Sequence, residues 1–191
     1  LADDKYAIEQ LANRYDFIDI NRVGIFGHSG GGFMATAAIC TYPDFYKAAV
    51  SSSGNHDNNI YNRGWVEIYN GVQESTKTIQ TATGKDSIIY TFSSHVPTNM
   101  ELAKNLKGHL LLVSGDQDRN VHPAHLLRMA NALIQANKNF EMLLIPGAKH
   151  GYTGQANRFF EKKLWFHFAK YLLGDFSSEQ FTDLDETLKI K

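Results

Sequence analysis

Cysteine is almost absent from this chain. Cys40 is the only one in 191 residues, so no internal disulfide can form. Proline is scarce as well, with four residues, and none falls inside the stretches that read as helices. Charge of one sign is missing: the formal net charge is -1, which gives no footprint for nucleic acid or an anionic membrane surface. No apolar run approaches the roughly 20 residues of a membrane span. An initiator methionine is lacking too. The chain starts at Leu1 without a signal peptide and reads as a piece of a longer protein, so a missing targeting segment is silent about compartment. What remains is 43% hydrophobic and 20% charged, the composition of a globular domain long enough for one sizeable core.

The chain shows no internal repeat and no low-complexity linker. Residues Asp4–Tyr15 carry Tyr6, Ile8, Leu11, Ala12 and Tyr15 near helical spacing, which predicts a helix. A strand is expected at Val23–Phe26, a helix at Phe33–Thr41 stopped by Pro43, and a buried strand in YKAAVSSSG. From Asn55 to Thr98 the sequence is rich in Asn, Thr, Ser and Tyr. It predicts irregular structure, with a short helix at Trp65–Tyr69. Asn99–Leu106 is expected to be helical, HLLLVSG a third buried strand, Ala124–Asn137 an amphipathic helix and FEMLLIPG a fourth buried strand. Arg158–Leu173 reads as a long amphipathic helix capped by Gly174, followed by an acidic tail. Unbroken apolar strands alternating with helices predict an α/β fold, a mainly parallel sheet with helices on both faces. Cys40, following Ala37, Ala38 and Ile39, reads as helix packing rather than a catalytic thiol.

Gly27-His28-Ser29-Gly30-Gly31 fits G-x-S-x-G, with a strand before it and a helix after it. A serine on a very sharp strand-to-helix turn is lifted above the sheet, and the following helix N-terminus favours negative charge beside it. Side chains at Gly27 and Gly31 are expected to clash with neighbouring backbone. The alternative for the same letters is a glycine-rich turn without chemistry.

A serine hydroxyl needs a base, and the base needs an orienting acid. In this architecture the order is Ser, then Asp or Glu, then His, on loops after later strands. LLLVSGDQDRNVHP places Asp116 and Asp118 past the third strand, and LLIPGAKHGY places His150 past the fourth. All three positions fall at the C-terminal edge of a parallel sheet, where α/β folds hold ligands. Taken singly, each reads equally well as a capping carboxylate or a surface histidine; order and placement together favour a triad. His28 is expected to shape the elbow, and His122 to line the site. His56, in GNHDNN, lacks paired zinc spacing and reads as part of a polar loop, so no metal is expected. His95, His109 and His167 default to structural roles. G-x-G-x-x-G is not matched and no G-K-[ST] occurs, so no nucleotide or other cofactor is expected.

GIFGHSGGGFMA, SGDQDRNVHP and PGAKHGY resemble the three catalytic motifs of the prolyl oligopeptidase family of serine peptidases, nearest its dipeptidyl peptidase IV branch. The resemblance implies a truncated α/β-hydrolase domain over residues 1–175 with a tail at 176–191. It implies a Ser29–Asp118–His150 triad, since the family's acid precedes an x-Asn-Val-His run, which selects Asp118 over Asp116. It further implies Gly30 N–H as one oxyanion donor and Asn120 as a holder of a substrate backbone carbonyl. WVEIYNG resembles the segment whose aromatic side chains wall the pocket for the residue before the scissile bond, here Trp65 and Tyr69, with Trp standing where the family usually has Tyr. The implied substrate is a peptide, of Xaa-Pro type, and the implied compartment periplasmic or extracellular.

Family members carry further sheet strands, a propeller and an oxyanion tyrosine before the segment matched here. By that resemblance the strand at Val23–Phe26 is a central strand whose one edge is open in this chain. Such an edge predicts a homodimer or other self-association. The motifs do not exclude an esterase acting on small or sugar esters. Ser29, Asp118 and His150 together argue against a catalytically silent binding module for the full-length protein, while the isolated fragment, short of one oxyanion donor, is expected to be weakly active or inactive.

Overall fold

A computed structural model describes residues 1–93 and 96–177. His95 and the acidic tail beyond Ser177 lie outside the described residues. In chain order the elements are α1 (Ala2–Ala12), β1 (Val23–His28), α2 (Gly30–Thr41), β2 (Tyr46–Ser52), α3 (Arg63–Asn70), β3 (Gln73–Gln80), β4 (Asp86–Ser93), α4 (Asn99–Leu102), β5 (His109–Gly115), α5 (Ala124–Gln135), β6 (Glu141–Ile145) and α6 (Gly154–Phe168). Two compact units result: Leu1–His56 with the chain from Asn99 onward, and Asp57–Thr98.

In the larger unit four strands form one sheet in the order β1-β2-β5-β6, every pair parallel. Side chains of a strand alternate between faces, so an apolar run covered on both sides feeds two cores. Ala49, Leu110 and Leu112 face a cluster with Ile39 and Cys40 of α2 and Met129 and Leu133 of α5. The intervening Val50, Leu111 and Val113 face the opposite cluster, with Leu164 of α6. Helices therefore cover both faces, the α/β-hydrolase type of layering. Each Val, Leu, Ile or Met among them taken fully from water contributes about 1.5–3 kcal/mol.

The central and outer strands differ. β2 and β5 are covered almost throughout, but FEMLLIPG is only half buried, with Met142 50% and Leu144 41% exposed. The cause is position: among the described residues β6 pairs with β5 alone, at the rim of the sheet. β1 is the other rim and leaves Phe26 66% exposed.

The smaller unit corrects the expectation of irregular structure between Asn55 and Thr98. β3 and β4 form an antiparallel hairpin in unbroken register from Gln73↔Ser93 to Gln80↔Asp86. It closes over a turn in which Thr81 N–H donates to Lys85 O (2.9 Å), and Gly84 takes φ +74°. The strands carry β-branched Thr76, Thr78, Ile79, Ile88 and Ile89, which suits extended backbone. They lack the one-sided apolar alternation that marks a half-buried strand, and nearly every residue is exposed. The short helix expected at Trp65–Tyr69 is α3, started by Asn62, whose side chain accepts from Trp65 N–H at 3.2 Å.

Candidate active site

β1 ends at His28 and α2 begins at Gly30, so one residue makes the whole reversal. That residue, Ser29, takes φ 58°, ψ −123°, a conformation costing a non-glycine residue on the order of 1–3 kcal/mol. It is held by two backbone bonds, Ser29 N–H to Ser52 O (2.8 Å) and Phe33 N–H to Ser29 O (3.1 Å). A Cβ on Gly27 would stand 2.2 Å from Gly31 O, and one on Gly32 would stand 2.6 Å from Ser52 O. The expectation for Gly31 is corrected: a Cβ there meets nothing within 4 Å, because what crowds Gly27 is the backbone of residue 31, not its missing side chain.

The loops after β5 and β6 lie backbone against backbone. A Cβ on Gly115 would stand 2.3 Å from Ala148 O, and Gln117 N–H donates to Ala148 O (3.0 Å). This contact separates the two aspartates. Asp116 Oδ1 accepts from Gly147 N–H at 2.6 Å and pins the β6 loop. Asp118, 1% exposed, accepts through Oδ1 from the N–H groups of Asn120 and Val121, both at 2.9 Å. Its Oδ2 stands 2.8 Å from His150 Nδ1, and His150 Nε2 stands 3.0 Å from Ser29 Oγ. An ionised Asp118 accepts from Nδ1–H, which leaves Nε2 to accept from the serine hydroxyl. A hydroxyl, an imidazole and a buried carboxylate in one row is the arrangement that activates a serine oxygen.

The remaining sites distribute as follows. Gly30 opens α2, where the first N–H groups have no intrahelical partner. Asn120 is exposed on the Asp118 loop. His122 does not turn inward: it is exposed and its Nδ1 accepts from Ala124 N–H at 3.1 Å, at the start of α5. Trp65 and Tyr69 belong to the smaller unit, where their rings pack 4.7 Å apart and Tyr61 stands edge-on to Trp65 at 5.4 Å. Among the described residues no group of three or more His, Cys, Asp or Glu is placed to hold a metal. The Cys40 thiol is buried, which pushes its ionisation up to about 12 and leaves it inert as a nucleophile.

His56 sits not in an open loop but in the interior, 2% exposed. Its Nδ1 accepts from the Asn99 side-chain amide at 3.0 Å, and that amide also donates to Phe33 O at 2.9 Å. Desolvation, then the neighbouring His125, holds its ionisation down at about 3. Sequence reasoning also missed Ser52 and Tyr152, which join His28 in a hydrogen-bonded chain beside His150. Two signals pointed there: Ser52 ends the strand next to β1, and Tyr152 follows His150 by two residues.

The parallel sheet, the helices on both faces and a serine elbow at the sheet's C-terminal edge define the class, an α/β-hydrolase-type domain. A model of the prolyl oligopeptidase family, Peptidase_S9, matches residues 1–176, and the chain belongs to that family of peptidases. It is 31% identical over 148 residues to human dipeptidyl peptidase 8, covering 78% of this chain and 15% of that protein. It is 26% identical over 161 residues to bovine prolyl endopeptidase FAP, covering 84% and 19%. A solved Bacteroides ovatus structure described as a dipeptidyl aminopeptidase IV superposes with TM-score 0.74 at 25% identity, covering 89% of this chain and 22% of that one. Porphyromonas gingivalis dipeptidyl peptidase 4 superposes with TM-score 0.69 at 25% identity, covering 87% and 22%. The chain thus spans only about a fifth or less of the length of these relatives.

Proposed function

We propose that this chain carries the nucleophilic centre of a serine peptidase that cleaves peptides of Xaa-Pro type, as a dipeptidyl peptidase or prolyl oligopeptidase does. The observation that carries the reading is the row of Ser29 Oγ, His150 and Asp118, at 3.0 and 2.8 Å. Ser29 Oγ attacks the scissile carbonyl as its proton passes to His150 Nε2. Asp118 holds the imidazole in the required tautomer and stabilises the imidazolium. The proton then goes to the leaving amine, the C–N bond breaks, and an acyl-enzyme remains. Water repeats the sequence: its proton goes to His150, its oxygen to the acyl carbon, and Ser29 Oγ regains a proton as it leaves. Gly30 N–H, at the helix N-terminus, donates to the developing oxyanion.

For the substrate, Trp65 and Tyr69 supply apolar walls for the residue before the scissile bond, and Asn120 holds a backbone carbonyl. These three rest on the family resemblance. The open rim at β1 supports self-association through that strand with a second copy. The name of the P. gingivalis relative, a dipeptidyl peptidase, favours removal of dipeptides from peptide N-termini.

The test is active-site labelling of the full-length protein with a fluorophosphonate, followed by peptide mapping. Labelling of Ser29, lost in Ser29→Ala, is expected; its absence overturns the reading. Turnover of an Xaa-Pro-nitroanilide well above that of nitrophenyl acetate supports a peptidase, and the reverse supports an esterase.

A further inference from the structure

A second imidazole stands against the first. His28, the last residue of β1, places its ring centroid 4.8 Å from that of His150, tilted by 53°. Tyr152 stands edge-on to the His28 ring at 5.9 Å. His28 Nδ1 is 3.0 Å from Ser52 Oγ, Ser52 Oγ donates to Tyr152 Oη at 2.9 Å, and Tyr152 Oη is 3.3 Å from Ser53 Oγ.

Proton counting gives this chain a direction. A serine hydroxyl has one proton, and that of Ser52 is used on Tyr152. Ser52 has none left for His28, so His28 Nδ1 carries the proton and donates it to Ser52 Oγ. The tyrosine proton is free to go to Ser53. The chain therefore runs one way, from β1 through the end of β2 to the loop that bears His150. Ser52 and Ser53 are each 1% exposed, so water does not compete for these bonds.

We propose that His28, with Ser52 and Tyr152, is a positioning residue for His150: it holds the imidazole over Ser29 Oγ and keeps a neutral ring where the imidazolium forms. The inference rests on the peptidase reading above. The groups facing His28 are His150 and Asp118 from the loops after β6 and β5, Tyr152 from the β6 loop, and Ser52 from β2. Burial is the first cause holding His28 below the ordinary histidine range, and the charge of His150 the second; Asp118 and a hydrogen bond to the His150 backbone oppose both. A proton on His28 sets a like charge beside the imidazolium that forms on His150, so the neutral His28 ring is the competent form and its protonation adds one proton to the acid limb of the pH profile.

The experiment compares wild type with His28→Phe, His28→Asn and Tyr152→Phe in the full-length protein. It reads kcat, KM, the rate of Ser29 phosphonylation, the acid limb of kcat/KM, and the far-downfield proton resonance of His150 Nδ1–H. Loss of positioning is expected to lower kcat and labelling by on the order of 10–10²-fold in His28→Phe and Tyr152→Phe, with KM unchanged. His28→Asn keeps a donor for Ser52 and is expected to recover part of kcat. In both His28 variants the acid limb is expected to fall to a one-proton slope. Variants that melt earlier but keep wild-type kcat, labelling rate and acid limb per folded molecule overturn the proposal. Wild type that fails to label at Ser29 overturns the peptidase reading instead. The resonance then decides positioning alone: displaced or lost in His28→Phe and Tyr152→Phe supports it, unchanged overturns it.

Discussion

His150 Nδ1 stands 2.8 Å from Asp118 Oδ2, while Asp116, two residues earlier, is spent on Gly147 N–H at 2.6 Å. Two carboxylates on one short loop have separate roles because the loop between them turns over against Ala148. Asp118→Asn is expected to lower kcat by about 10⁴, since an amide stabilises neither the required tautomer nor the imidazolium. Asp116→Asn is expected to leave kcat little changed and to cost about 1 kcal/mol of stability. Steady-state kinetics and urea unfolding of the two variants check this, and a larger kinetic loss in Asp116→Asn would reverse the assignment.

The elbow glycines differ in the same testable way. Alanine at 27 would put its Cβ 2.2 Å from the carbonyl oxygen of residue 31, and backbone cannot step aside as a side-chain tip can. Gly27→Ala is expected to lose on the order of 1–3 kcal/mol and to displace Ser29 from its strained backbone. Gly31→Ala meets open space inside α2 and is expected to stay within about 1 kcal/mol of wild type, in the stabilising direction. Melting temperatures of the pair decide it; equal losses would mean the crowding is misread.

Legibility followed burial and order. The α/β layering was readable because β2 and β5 are covered on both faces and so appear as unbroken apolar runs. Val23–Phe26 was readable as a strand from its apolar letters and the glycine-rich turn after it, although it is only partly covered and its rim position rests on pairing that no single segment encodes. The hairpin β3–β4 escaped because strands exposed on both faces leave no periodic apolar signal. At the candidate site, the G-x-S-x-G letters and the order of aspartate and histidine carried the proposal of Ser29, Asp118 and His150. The link from His28 through Ser52 to Tyr152 spans 124 residues of sequence separation, 24 and 100 in turn; the pairing of β1 with β2 brings the first two together, and the order β2-β5-β6 brings the loop that bears Tyr152 to them.

The open rim of β1 carries a prediction about assembly. Among the described residues its backbone pairs with β2 alone, and Phe26 projects from it 66% exposed. Two copies related by a twofold axis would pair these rims antiparallel. The isolated chain is expected to run as a dimer or larger species in size-exclusion chromatography with light scattering. Phe26→Lys, a charge on the rim, is expected to shift it towards monomer. A clean wild-type monomer at high concentration would remove the prediction.

The buried His56 sets a pH limit on the fold. Burial, with the neighbouring His125 adding to it, lowers its ionisation from the ordinary 6.5 to about 3, and the neutral ring keeps an Nδ1 that accepts from Asn99. Below about pH 6.5 the unfolded chain binds a proton at this ring that the folded chain refuses, so stability is fully present above that value. It is lost as pH falls towards 3, by at most about 1.4 kcal/mol per pH unit for one proton. His28, His109 and His167 are shifted in the same direction, each first by desolvation, and steepen the fall. His56→Gln keeps a carbonyl acceptor for Asn99 but cannot titrate. It is expected to be less stable than wild type at pH 8 and to show a slope smaller by close to one proton between pH 6 and 4. Urea unfolding across that range measures the slope, and an identical slope in the variant would mean that His56 does not carry this term.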